Sequence, residues 1–435
     1  MNLARQIEQY LPQPLLELVH DISRQAAKLG QRVYLIGGIV RDLLLGDPSL
    51  RSGLRFDLDL VVEGDAVKLA QQVAETSQAK LLAHPHFGTA KLRYEDFTLD
   101  LATARKETYA KPGALPTVTP GTLKDDLIRR DFSINAMAIS LAANDYGELI
   151  DPHQGKSDLE HRLIRILHPG SFSDDATRIL RAVRYEQRLD FELETQTAQL
   201  LKRDIPMLDT ISGDRIRHEL ELIFKEKQPE LVIKRLGELG VLPRISPFLK
   251  GDGGIAEKFD KARRLKKPNQ LPSLYFCLLI YSFSEKEIEQ FLTRLNISAK
   301  LSRAMYDTLR LKTSLPFLDK TSLKPSEIYY LLREYEPMAI EANAIATDEK
   351  EGTTSLIAHH HLQLFLTKLR YVRTSLSGGE LKRLGIPAGP EMGKVLQILH
   401  KAKLDGEVST RADEKKLVRS LKALDFNTDP EPPRE

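Results

Sequence analysis

Asp57 and Asp59 sit one residue apart in RFDLDLVV, an apolar segment that otherwise reads as a core strand. In a strand, residues i and i+2 share a side. The two carboxylates therefore project together, while Leu58 and Leu60 face the other way. Adjacent carboxylates repel, and a fold keeps them together where a cation neutralises them. Hard oxygen ligands of this kind suit Mg2+, which is commonly shared with substrate phosphates. Taken alone, the two residues read more simply as one wet face of an alternating strand.

Their surroundings add phosphate chemistry. Gly37-Gly38 follow a strand pattern and precede a helix pattern. Glycine lets backbone N–H groups approach a ligand closely, and a helix N-terminus favours anions. Arg41 falls in the first turn, where it can add a charge-assisted bond to a phosphate. This is neither the P-loop nor the dinucleotide fingerprint. In FTLDLATAR, Asp100 shares a face with Thr98. It would reach the same metal site if its strand neighbours that of Asp59; a solvent-facing aspartate fits equally well. In LIRRDFSINAMAIS, Arg130 can hold a phosphate and Asp131 can accept from a ribose hydroxyl, with a surface ion pair as the even alternative. In SFSDDATRILRAVRY, Ser173 reads as a helix cap with Asp174 and Asp175 in the first turn, and Asp174 and Arg178 are spaced for an i,i+4 ion pair.

These residues need elements to position them. Short β-branched or aliphatic runs predict strands over Arg32–Ile36, Phe56–Val62, Thr89–Tyr94, Phe97–Ala102 and Ala138–Leu141. Helical periodicity covers Leu15–Lys28, Val40–Leu45 and Ala66–Thr76. Residues 1–150 thus form an α/β head. Pro112, Pro116 and Pro120 make the stretch between Lys106 and Lys124 a long surface loop. From Asp151 on, the pattern is amphipathic helix, with one capping box at Ser284–Glu287. FNTDPEPPRE, residues 426–435, reads as a disordered tail.

Composition sets outer bounds. The 435 residues suffice for two to four structural units, and a net charge of +3 does not announce a nucleic-acid binder. A basic run, Lys261, Arg263, Arg264, Lys266 and Lys267, reads as a solvated helix face or a local binding surface. One cysteine, Cys277, excludes a disulfide framework and a cysteine-based zinc site. The apolar runs are too short for a membrane span, and the polar N-terminus lacks a signal pattern. A cytosolic protein without membrane contact is expected. His20-Asp21 reads as structural. His359, His360 and His361 point in different directions on a helix and make a poor metal site.

Together, GGIVRD, DLD, RRDFSINAMA, DPHQGKSDLEHRLIRI and DDATRILRAVRYEQRLDF, in this order from Gly37 to Phe191, resemble the class II tRNA nucleotidyltransferase family. Weaker likeness continues through GDRIRHELELIFK and LKRLGIPAGPEMGKVL. The family comprises CCA-adding enzymes, their CC-only and A-only relatives, and bacterial poly(A) polymerases.

The resemblance implies an α+β chain. A polymerase β-like nucleotidyltransferase head (1–150) is followed by a helical neck (151–210), body (211–330) and tail (331–425). It implies Mg2+-dependent addition of C and A to the tRNA 3′ end from CTP and ATP, and contacts to the acceptor stem and elbow; the oligomeric state is left open. Asp57 and Asp59 are then the metal ligands and Asp100 a third catalytic carboxylate. Gly37, Gly38 and Arg41 match triphosphate contacts, Arg130 a nucleotide contact and Asp131 a sugar contact. Asp175 and Arg178 match a base-reading pair, and Arg181 and Arg184 further nucleotide-binding arginines. The pair would accept cytosine and adenine, whose exocyclic amines face the carboxylate, and reject uracil and guanine. Three positions depart from the family pattern: Asp174 stands for Glu, Gln154 for Gly, and Asp214 for Glu. The segment between DLD and RRD is not shortened, which favours complete CCA addition over CC-only, A-only or poly(A) synthesis. A non-catalytic RNA-binding scaffold is the reading from a different class.

Overall fold

The computed structural model describes residues 1–46, 57–108, 113, 116–251, 253–347 and 356–425. Two compact units are present, Met1–Asp252 and Gly253–Glu435. Their boundary falls within the segment 211–330 read from sequence as one body.

The first unit carries, up to Ile150, nine strands among the described residues. These are β1 (Arg32–Ile36), β2 (Asp57–Glu63), β3 (Lys80–His84), β4 (Thr89–Tyr94), β5 (Phe97–Thr103), β6 (Arg105–Thr108), β7 (Thr117–Pro120), β8 (Ala138–Ser140) and β9 (Leu149–Ile150). Seven form one sheet in the order β3-β4-β5-β2-β1-β8-β9. Only the central β2–β5 pair is parallel; the other neighbours run antiparallel. Helices cover one face. Gln13–Lys28 directs Leu15, Val19, Ile22 and Ala26 inward, and Ala66–Ser77 buries Ala66, Leu69, Ala70 and Val73. That i, i+3, i+4, i+7 spacing is the apolar stripe of a helix lying on a core. Leu58, Leu60, Leu99 and Leu101 are buried.

The expected proline-rich loop is in part a hairpin. β6 and β7 pair antiparallel, from Arg105↔Pro120 to Thr108↔Thr117. Proline cannot donate to a ladder, but a two-stranded ribbon has only edge strands, where an outward N–H is not needed. Pro120 is tolerated for that reason. Pro112 and the rest of 109–112, with 114–115, lie outside the described residues, as do Phe56 and the expected tail 426–435.

From Asp151 the unit is mainly helical, with one exception to the sequence reading: Leu163–Ile164 and Glu192–Leu193 pair as a short parallel ladder. Two residues each are too few to show a period in sequence. Gln154 adopts φ 59° and ψ 30° ahead of the helix Gly155–Glu160. It holds a left-handed conformation in which glycine is comfortable and glutamine is strained.

The second unit is helical. Its core joins Leu311, Leu315, Leu332, Ile340, Leu362 and Phe365, and a separate cluster joins Leu376, Leu381, Leu399 and Val418. The Ser284–Glu287 capping box forms, with the Ser284 N–H donating to Glu287 Oε2 at 2.6 Å. The basic run lies at the end of the helix Gly253–Leu265. Lys261 pairs with Glu257, Arg263 and Arg264 with Asp260, and Lys266 with Glu341. His359 and His361 use Nδ1 on the carbonyls of Ala344 and Leu318, so each imidazole is tied to its own helix neighbour. Among the described residues, no helix is long and apolar enough to cross a membrane.

Candidate active site

The carboxylates lie at the centre of the sheet. Asp59 of β2 stands in register with Asp100 of the parallel strand β5, and Asp100 in turn with Lys91 of β4. Register partners share a face, so Asp59 and Asp100 lie side by side, on the side opposite the buried leucines. Asp59 is exposed and Asp100 is nearly half exposed. Lys91 Nζ reaches Asp100 Oδ2 at 3.0 Å and offsets part of the negative charge. Asp57 begins β2 opposite Thr98, two positions before Asp59; its side chain lies outside the described residues.

The glycine turn abuts this face. β1 ends at Ile36, and Gly37 (φ 75°, ψ −135°) caps the helix Gly38–Leu45. A Cβ on Gly37 would stand 3.0 Å from Arg130 Nη1 and 3.9 Å from Asp59 Oδ2. The turn, the strand acid and the RRD arginine thus converge on one spot, and only glycine leaves that spot open. A Cβ on Gly38 would meet Arg41 Nη2 at 3.4 Å.

The RRD segment follows the helix Leu123–Ile128, which opens with a capping box between Thr122 and Asp125. Fully buried Asp126 takes Arg129 Nη2 at 2.5 Å and Arg130 Nη2 at 3.1 Å. Arg129 also reaches Glu107 of the hairpin at 3.2 Å. Arg130 Nε is buried with no hydrogen-bond partner among the described residues. A buried N–H of this kind suits an anionic ligand, because leaving it unpaired is costly.

Asp131 is buried inside a network. Its Oδ1 accepts from the Phe132 N–H (2.9 Å) and Asn135 Nδ2 (3.1 Å), and its Oδ2 from Arg181 Nε (3.0 Å) and Nη2 (2.5 Å). Burial alone would push this carboxyl up. Arg181 and Asn135 outweigh it and hold the carboxyl below the usual carboxylate range. Arg181 is held above its ordinary value: burial opposes the charge, but Asp131 more than offsets it. Arg41 is interior. It donates to Asn135 Oδ1 at 2.7 Å and Asp42 Oδ1 at 2.8 Å, and lies over the Tyr185 ring. The structure therefore joins Arg41 to Asp131 through Asn135, where the sequence suggested a direct phosphate contact.

The neck corrects the expected helix start. A short helix, Ser171–Asp174, ends at Asp175 (φ −143°, ψ 98°), and a new helix runs Thr177–Leu189. Ser173 is interior to the first helix, and Asp175 lies between the two. Asp175 Oδ1 accepts from the Thr177 N–H at 2.9 Å, the Thr177 hydroxyl at 2.6 Å and Arg215 Nη2 at 2.7 Å. Asp174 turns to His168 (3.7 Å) rather than to Arg178. Burial, with Arg178 and His153 nearby, holds the His168 imidazole below its usual pKa despite Asp174. Arg178, buried, donates to Ser171 Oγ (2.6 Å), the Ser171 carbonyl (3.3 Å) and the Arg129 carbonyl (2.6 Å).

Arg130, Asp131, Asp175, Arg178, Arg181 and Arg215 line one cleft of about 620 Å³, with Arg105 and Glu107 from the hairpin. Arg184 does not join them. It pairs with Glu219 (3.5 Å) and Glu226 (3.3 Å) and lines a different cavity with Asp42 and Arg188. On one helix the three-residue spacing of 178, 181 and 184 drifts round the axis, which carries the third arginine off the cleft.

Three segments match family models: the Poly A polymerase head domain over residues 33–165, the probable RNA and SrmB-binding site of polymerase A over 190–252, and the putative tRNA nucleotidyltransferase domain 2 over 272–417. The A-adding tRNA nucleotidyltransferase of Halalkalibacterium halodurans is 32% identical over 426 residues, covering 97% of this chain and 96% of that protein. This chain belongs to the class II tRNA nucleotidyltransferase family. A second family member, the A-adding tRNA nucleotidyltransferase of Geobacter sulfurreducens, is 34% identical over 434 residues. That match takes in 95% of the chain but 48% of the relative, so the chain spans about half its length. Among solved class II structures, the Thermotoga maritima CCA-adding enzyme complexed with tRNA superposes with a TM-score of 0.74 at 29% identity, over 97% of this chain and 99% of that one.

Sequence reasoning about this class II chain missed Arg215, Glu107 and Ser171 as neighbours of the proposed site residues. Arg215 stands in the RIRHE segment and had a signal in its motif. Glu107 and Ser171 had none, because their partners lie 22 and 7 residues away across a turn or a hairpin.

Proposed function

We propose that the chain transfers nucleotides to the 3′ end of tRNA, with ATP as a donor and the terminal adenosine as its product. The observation that carries this reading is the convergence of Gly37, Asp59 and Arg130 beside the in-register Asp100, next to the cleft holding Asp175 and Arg178. The 3′-oxygen of the RNA bonds to the α-phosphorus, the α–β phosphoanhydride bond breaks, and pyrophosphate leaves.

Asp57 and Asp59 would hold the metal, with Asp100 beside them. The described donors fit: Asp59 and Asp100 offer exposed or half-exposed hard oxygens on one strand face, and Lys91 pairs with Asp100. Bound Mg2+ supplies positive charge that activates the 3′-hydroxyl and offsets charge on the phosphates. Gly37 and Gly38 leave room for the triphosphate, and Arg130 offers its unpaired Nε to it. Arg181 positions Asp131 toward the sugar, and Arg41 braces both through Asn135. Asp175 and Arg178 read the base. The body (211–330) and tail (331–425) would hold the acceptor stem and elbow, the basic residues Arg263 to Lys267 and the 385–394 region included. Such contacts rest on phosphates and shape.

Terminal AMP addition is favoured by the names of the two relatives, one matching nearly end to end. Complete CCA addition from CTP and ATP is the second reading, favoured by the likeness to the CCA-adding enzyme across 97% of the chain. The test is incubation with tRNA ending at the discriminator base, in -C or in -CC, with labelled ATP or CTP and Mg2+. Products resolved at single-nucleotide length separate the readings. AMP incorporation on the -CC substrate alone is expected; CMP incorporation on the shorter substrates establishes CCA or CC addition instead.

A further inference from the structure

The bonds around Arg178 account for most of its donors. A guanidinium carries five N–H groups in one plane. Nη1 gives two to the hydroxyl and carbonyl of Ser171, and Nη2 gives one to the Arg129 carbonyl. Two donors remain. Asp175 is similarly restricted: three donors converge on Oδ1, and among the described residues no hydrogen bond reaches Oδ2. The pair, which lines the cleft, therefore keeps one acceptor oxygen and two N–H groups without a hydrogen bond among the described residues.

We infer that Ser171 is a positioning residue that sets base selectivity by fixing which donors Arg178 offers; this rests on the base-reading role proposed above. Cytosine and adenine place an amine against the acceptor and ring acceptors against the donors. Uracil and guanine place a carbonyl where the amine should be. A guanidinium free to swing could answer that carbonyl with a spare N–H and accept the wrong base. Ser171 removes the freedom. Its side chain is fully buried, its hydroxyl lies 2.6 Å from Nη1, and its own carbonyl takes the second Nη1 donor. A short bond from a charged donor in a buried site is both strong and costly to break.

The experiment compares S171A, S171T, S171C, R178A and S171A/R178A for kcat/KM with ATP, CTP, UTP and GTP on tRNA ending in -CC. S171A is expected to lower the preference for ATP over GTP, and for CTP over UTP wherever CTP is used, by roughly tenfold, the worth of one charge-assisted hydrogen bond. S171T keeps the hydroxyl and recovers selectivity. S171C fills the same space with a weak acceptor and follows S171A, which keeps the comparison available should S171A not fold. In the R178A background, S171A changes selectivity no further. Wild-type selectivity in S171A and S171C, with selectivity lost in R178A, overturns the inference alone. So does an equal loss on adding S171A to R178A. Wild-type selectivity in R178A overturns the base-reading role itself.

Discussion

Asp59 and Asp100 face each other across the single parallel strand pair of the sheet, in register, with the Gly37 turn against Asp59 and Lys91 against Asp100. Two acids so placed repel unless a cation stands between or beside them. Lys91 pairs with Asp100, and Asp59 lies against the Gly37 turn, where the proposed reading puts the triphosphate.

Asp59→Ala should therefore cut nucleotide incorporation by roughly a hundredfold or more, the scale of losing one preorganised charge-stabilising group. Binding of tRNA, measured by filter retention in the same buffer, should stay near wild type. Asp100→Asn should cost less, because its charge is already partly met by Lys91. Equal activity in Asp59→Ala and the wild type would remove the carboxylate face from the chemistry.

Gly37→Ala tests the turn. At φ 75° and ψ −135° Gly37 lies outside the left-handed helical well, in a region open to glycine that costs an L side chain on the order of 1–3 kcal/mol. The added methyl would also press on Arg130 Nη1 at 3.0 Å. A lower melting temperature and a raised KM for ATP are expected together. A lower melting temperature with an unchanged KM would confine Gly37 to a structural role.

Asp131→Asn tests the buried network through its pH dependence. Arg181 and Asn135 overcome the effect of burial and depress the folded-state pKa of Asp131. A depressed carboxyl contributes stability that is present above its unfolded pKa of about 3.9 and is lost as pH falls through the folded value. The variant should melt below the wild type at pH 7, and the gap should narrow as the pH drops below about 4. A gap independent of pH would show that packing, not charge, accounts for the loss.

Gln154→Gly tests the departure at the start of the helix Gly155–Glu160. Gln154 holds φ 59°, a conformation costing an L residue about 1–2 kcal/mol. Glycine relieves it but brings a looser unfolded chain, worth about 0.5–1 kcal/mol the other way. The expected net is a stabilisation of up to about 1 kcal/mol by chemical denaturation. The neighbouring Gly155→Ala should do the opposite, because its Cβ would fall 2.2 Å from the Ser133 carbonyl.

The sequence by itself determined the local pieces. The short β-branched or aliphatic runs RVYLI and TAKLRY placed β1 and β4 at their observed ends, and the Leu58–Leu60 pattern fixed which side of β2 is core. The glycine turn, DLD and RRD were legible because strand, turn and helix signals act over a few residues. Tertiary structure decided who stands next to whom. A period of two gives a strand its faces but not its neighbour, so only the β2–β5 pairing brought Asp100 beside Asp59. The hairpin carrying Glu107, the break at Asp175 and the turning of Arg184 to Glu219 depend on partners distant in the chain. Long-range hydrogen bonds and buried ion pairs select among local conformations of similar energy, and no short-range pattern records that choice.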